Sequence, residues 1–144
     1  MDTKKWFIAT VAVFAVMFGL EYVIHGVLLS DIYQQTASVW RPETEMQQHM
    51  WLMWFGYAIF AAVFVWIYTK GYETHKSPLG QGVRYGLLVG LLVATVQSFG
   101  WYAVLPIPAA LAMWWFVAGL VECLAIGVTA SLTYQKTSPF PEKK

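Results

Sequence analysis

The sequence predicts an all-α protein, a four-helix transmembrane bundle with both chain ends on the cytoplasmic side and a short amphipathic helix in its outer loop. Three observations carry this. The 144 residues are 58% hydrophobic and only 12% charged, where a soluble domain carries about a quarter charged residues. The apolar residues gather in four segments, 6–29, 51–68, 83–105 and 109–134, each near the roughly 17–25 residues a helix needs to cross the hydrocarbon core. The basic residues fall almost entirely to one side of the membrane those segments define.

Backbone polar groups in lipid must be satisfied within the segment, which makes each span a helix. The first segment starts after Lys4 and Lys5 and is interrupted by Glu21 and His25. It is longer than the apolar core of a signal peptide and no A-x-A site follows, so it reads as a retained helix. Ser30-Asp31 then signals a helix start. Ile32, Thr36, Val39 and Trp40 recur at helical spacing, as expected of an amphipathic helix at the membrane surface. Pro42 followed by Glu43 and Glu45 starts the second long helix well before the membrane, over 42–69, and Gly71 ends it. The 71–80 stretch is polar and turn-rich. Leu105-Pro106-Ile107-Pro108 permits only a tight hairpin between the third and fourth spans. Residues 1–135 thus form one transmembrane domain, and 136–144 a polar cytoplasmic tail.

Orientation follows from charge. Lys4, Lys5, Lys70, Lys76, Arg84, Lys136, Lys143 and Lys144 lie on the side of the termini and the 71–80 loop, and only Arg41 lies opposite. Eight of nine on one side marks it as cytoplasmic. Tryptophans 40, 51, 54, 101, 114 and 115 then fall in the outer half, and Trp6, Trp66, Tyr68, Tyr85 and Tyr134 on the inner side, as interfacial anchors do. A net charge of +1 without a basic stripe gives no nucleic-acid footprint. One cysteine, Cys123, excludes an intramolecular disulfide.

A packing signal joins the last two spans. Gly82, Gly86, Gly90, Ala94 and Ser98 are four apart, and so are Gly119, Cys123, Gly127 and Ser131. Small residues at this spacing let two backbones approach closely. A hairpin centred on Pro106-Ile107 sets Gly82 opposite Ser131, Gly86 opposite Gly127, Gly90 opposite Cys123 and Ala94 opposite Gly119. The competing arrangement turns one stripe toward a second copy, giving a homo-oligomer.

Three groups could carry chemistry. Glu21 and His25 share a helix face, and a 1.5 Å rise per residue sets Glu21 roughly 22 Å in from Trp6. Gln97 lies at about the same depth, so Glu21, His25, Gln97 and His49 are candidates for one polar cluster under the outer loop, with Trp101 beside it. Intramembrane carboxylates are costly and are functional candidates by default; the alternative is a Glu–His pair that locks the first helix in place. Glu122 lies deeper, near mid-membrane. It reads either as a proton carrier of a coupled transporter or as a protonated carboxyl bonded to a backbone carbonyl across the contact of the last two helices. Met46, His49, Met50 and Met53 form a stripe which, with His25, has ligand types suited to copper; methionine is also a common packing residue. Haem is disfavoured, because only His25 and His49 share a side of the membrane and both sit near its outer edge.

At Glu21-x3-His25-Gly26-x-Leu28-Leu29, Trp40-Arg41-Pro42, Lys70-Gly71-Tyr72, Tyr85-Gly86-x3-Gly90 and Pro106-x-Pro108 the chain resembles a group of small, uncharacterised four-helix membrane proteins from bacteria. The resemblance covers most of the chain and implies a bacterial inner membrane and a shared fold, but no activity. The small multidrug exporters also have four helices and a glutamate in the first. This chain is longer, its Glu21 is off-centre, and it has a second buried acid and a long outer loop.

The expected function is that of a non-enzymatic accessory or assembly component in contact with lipid and with a membrane-protein partner or further copies of itself; no nucleophile–base pair is visible. The alternatives are a small transporter or ligand binder with an outward-facing Glu/His/Trp pocket, and a copper, haem or quinone protein. The topology has a direct test. In a Cys123→Ala background, Thr3→Cys and Thr137→Cys are expected to resist an impermeant maleimide in intact cells, while Gln47→Cys is labelled. Labelling of one terminus alone would overturn the four-span topology.

Overall fold

The computed structural model describes residues 2–135; the 136–144 tail, with Lys136, Lys143 and Lys144, lies outside the described residues. Helix α1 spans Thr3–Glu21 and continues without a break as a π-helix over Tyr22–Leu28. A short α2, Ser30–Gln35, and a 3-10 turn, Ala37–Val39, lead to α3, Glu43–Lys70. Helices α4, Pro78–Val104, and α5, Ala109–Gln135, complete the chain. Four helices are long and apolar enough to cross a bilayer, which makes this a multi-pass membrane protein by composition. Their outward faces are apolar as well: Leu92 and Val96 are each 70% exposed. Patches of that kind are untenable in water and expected in lipid.

Local signals explain most of the helix ends. Asp2 caps α1 by accepting hydrogen bonds from the backbone N–H groups of Lys4 and Lys5. Pro42 stands just before α3 rather than as its first residue, and Pro78 opens α4. The buried Gln81 clamps the preceding loop: its carbonyl accepts from Glu73 N–H, and its amide donates to the carbonyls of Glu73 and Lys76. Glu73 also pairs with Lys76 and Arg84, each at 2.7 Å. Hydrogen bonds from these two hold its carboxyl below the usual carboxylate range.

Helix α2 differs from the sequence expectation. Ser30 does not cap it; its hydroxyl instead donates to the carbonyl of Val27. The segment folds back on the bundle. Thr36 is buried, and Ile32, Val39 and Trp40 pack against a cluster of Ile24, Leu29, Ile107 and Leu111.

The long helices pack in an open row, α4–α5–α1–α3. The tightest contact is α4 on α5, along the small residues. A Cβ on Gly86 would strike the carbonyl oxygen of Cys123 and come within 2.9 Å of Leu124 Cα; one on Gly127 would lie 2.8 Å from Gly86 Cα. A Cβ on Gly90 would lie 2.9 Å from Cys123 Cβ, and one on Gly119 3.0 Å from Ala94 Cβ. Gly82 meets Ser131 and Gly127 in the same way. Gly82, Gly86, Gly90, Ala94 and Ser98 are all buried, so this stripe faces α5 rather than a second copy.

Helices α3 and α4 touch only toward the end of the bundle that holds Thr3 and Gln135. There Tyr85 donates to the Phe64 carbonyl at 2.6 Å, with ring centroids 4.6 Å apart, and Trp6 donates to the Ala62 carbonyl. Ala9, Val13, Ala61, Val65, Ile126 and Ala130 form the dry core at that end. Toward the other end the two helices separate.

Gly86→Ala is expected to lower thermal stability in detergent by about 1–3 kcal/mol, because the obstacle is backbone, which gives less readily than a side chain. Gly100→Ala, with open space around its Cβ, is expected to be neutral or slightly stabilising. Equal melting temperatures for the two variants would refute the close seam.

Candidate functional site

Where α3 and α4 separate, a cavity of about 1170 Å³ opens between all four long helices and the α2 segment. This is somewhat above the roughly 300–1,000 Å³ usual for small-molecule sites. Its floor is Phe60 and Ile126, and Tyr33, Trp40 and Trp115 line it at the end that carries α2. Trp54 and Trp101, each about half exposed, line it from α3 and α4 at the gap between those helices.

The α1 wall carries the polar groups. Glu21 Oε2 lies 3.5 Å from His25 Nε2. The other ring nitrogen, Nδ1, is hydrogen-bonded to the Tyr33 hydroxyl, which also accepts from Trp115 Nε1 at 2.7 Å. Indole N–H can only donate, so Tyr33 accepts from Trp115, and the same hydroxyl is bonded to His25 Nδ1. The imidazole thus lies between Tyr33 on one side and Glu21 on the other. Burial pushes the Tyr33 phenol up to about 12, which keeps it a donor at neutral pH. The chain from Trp115 through Tyr33 to His25 ties α5, α2 and the π-helix to one carboxylate. Edge-on packing of Trp40 against Tyr33, with Trp40 Nε1 donating to Thr36 Oγ1 at 3.0 Å, holds the α2 side in place.

The π-helix sits at this point, with Leu29 N–H bonded five residues back to the Ile24 carbonyl at 2.9 Å. A π turn widens the helix and resets the direction of the side chains beyond it, and such segments concentrate at functional sites. Nothing in residues 22–28 signals it beforehand.

Glu122 does not form the separate site that its depth suggests. Its carboxyl interacts with that of Glu21 across the α1–α5 contact, and Glu21 also interacts with the Tyr57 hydroxyl on α3. Glu122 lines the same cavity as Glu21, and among the described residues its Oε1 is buried without a hydrogen-bond partner. Gln97 and Trp101 line the same cavity from α4. All five candidate ligand-binding residues thus share one space.

The candidate metal set is divided. Met46, Met50 and Met53 line the cavity, together with Tyr57, on one line of α3. His49 falls to one side of that line: exposed, and bonded through Nδ1 to the carbonyl of Glu45 at 2.7 Å. It does not join His25. Among the described residues, no group of three His, Cys, Asp or Glu side chains is placed to hold a metal ion.

Sequence reasoning passed over Tyr33 and Tyr57. A signal for Tyr57 is present: Met46, Met50, Met53 and Tyr57 recur at 4, 3 and 4 residues and continue one face. Tyr33 has no such signal, because its partner Trp115 is 82 residues away.

No family model, curated protein or solved structure matches this chain.

Tyr33→Phe leaves Trp115 N–H without its acceptor and is expected to cost about 1–3 kcal/mol. A double-mutant cycle with Trp115→Phe, read by thermal unfolding in detergent, checks the coupling. Additive effects would mean that the indole–phenol bond contributes nothing.

Proposed function

We propose that this is a small-molecule-binding protein of a bacterial cytoplasmic membrane, with its cavity in the outer half of the bilayer, and that its ligand is an apolar organic cation. One observation carries the reading. The cavity is lined by three carboxyl side chains, Glu21, Glu43 and Glu122, and among the described residues by no lysine or arginine. A cation is the complementary charge. Indole and phenol walls suit it further, since a desolvated cation over an aromatic face gains about 0.5–2 kcal/mol.

The lysine and arginine distribution supports cytoplasmic termini and a cavity in the outer half. The gap between α3 and α4 suits entry from the lipid side, since its rim residues Met53, Trp54 and Trp101 are apolar and exposed. An apolar cation already partitioned into the outer leaflet would reach the carboxyl pair without crossing water.

Tetraphenylphosphonium is the probe. It is expected to quench tryptophan fluorescence of the detergent-purified protein saturably, and triphenylphosphine oxide, a neutral aromatic analogue, to bind at least tenfold more weakly. Glu21→Gln is expected to weaken the cation by tenfold or more. Equal affinity for the two probes would overturn a charge-selective site and leave the accessory-protein reading.

A further inference from the structure

We propose that this cavity exchanges its cation for a proton: the Glu21–Glu122 pair holds one proton when no cation is bound and releases it when a cation binds. The proposal rests on the cation reading of the same cavity and adds the coupling.

The two carboxyls come from different helices and line one cavity inside the apolar part of the bundle. An ionised acid near the centre of a membrane helix costs about 2.5–3.5 kcal/mol even before a like charge is set beside it. Two adjacent carboxylates therefore share a proton unless a cation compensates them. The groups facing the pair are His25 from the π-helix, Tyr33 from α2, Tyr57 from α3, Gln97 and Ser98 from α4, and Cys123 from α5. None is a fixed cation. Among the described residues the cavity is lined by no lysine or arginine, and His25, 3.5 Å from Glu21, is bonded through its other ring nitrogen to Tyr33.

The neighbours of the two carboxyls differ. Glu21 faces His25 Nε2 at 3.5 Å and the hydroxyl of Tyr57, which can donate to a carboxylate. Glu122 has its Oε1 buried without a hydrogen-bond partner among the described residues. It carries the proton and shares it with Glu21. The step then balances. The pair begins with one proton and one negative charge; a monovalent cation enters, the O–H bond of Glu122 breaks, and the proton leaves. Two carboxylates remain around one positive charge, so the net charge of the cavity with its contents rises by one for the cation and falls by one for the proton.

The experiment uses the full chain in weakly buffered detergent, with a pH-indicating dye and tetraphenylphosphonium as the cation. About one proton is expected to appear per cation bound, and affinity to fall about tenfold per pH unit on the acid side, where the pair is protonated. Glu122→Gln keeps the shape of the protonated acid without its proton. It is expected to bind the cation through Glu21, release no proton and lose the pH dependence. Cation binding without proton release in the wild-type protein overturns the exchange while leaving the cation site standing. Release that persists in Glu122→Gln also overturns it. Failure of the wild-type protein to bind the cation at any pH overturns both readings. The wild-type proton count decides the matter even where the variant cannot be purified.

Discussion

The small-residue seam between α4 and α5 is the contact on which the remaining architecture depends. Where Gly86 and Gly127 meet, the two backbones touch with no side chain between them. In lipid no hydrophobic force drives helices together, so close packing of this kind supplies the attraction. It also has a geometric result. A stripe of α4 is committed to α5 along most of its length. Helix α4 can then reach α3 only through long side chains, and it does so at the Tyr85–Phe64 contact near one end. At the other end nothing spans the distance, and the cavity is what remains.

An apolar protein that leaves such a space must account for the polar groups that line it. Here they are satisfied in sequence. Trp115 donates to Tyr33, Tyr33 is bonded to His25, and His25 faces Glu21. Each link comes from a different element, so the polar chain acts as a tie between α5, α2 and the π-helix as well as an electrostatic device. It ends at two carboxyls in a cavity that, among the described residues, no lysine or arginine lines. A purely structural tie would be complete with a neutral partner in place of Glu122. A second acid at that point is difficult to explain by stability, because an uncompensated carboxyl in hydrocarbon costs free energy.

Much of the bundle is legible in the sequence, because lipid imposes simple rules. Apolar length, the Pro106-x-Pro108 hairpin and the four-residue recurrence of glycine are local patterns, and the helix partners named by the hairpin register are those that touch. The candidate residues Glu21, His25, Gln97, Trp101 and Glu122 are visible for an equally simple reason: polar or amphipathic residues stand out against an apolar run. Their arrangement was less accessible. Counting depth along the helices separates Glu122 from Glu21, whereas the α1–α5 crossing brings them together. Counting spacing groups His49 with the methionines, whereas rotation of α3 turns it away.

By itself the sequence determined the medium, the number of spans, the α4–α5 register and which side chains resist burial, since each depends on residues near one another in the chain or on composition. Only the tertiary structure decided that α3 stands away from α4, that a π-helix redirects the end of α1, and that Tyr33, Trp115, Tyr57 and Glu122 converge on Glu21. Convergence of this kind depends on crossing angles and helix rotation. These are set by the sum of many weak side-chain contacts between distant segments, and no short stretch of sequence encodes that sum.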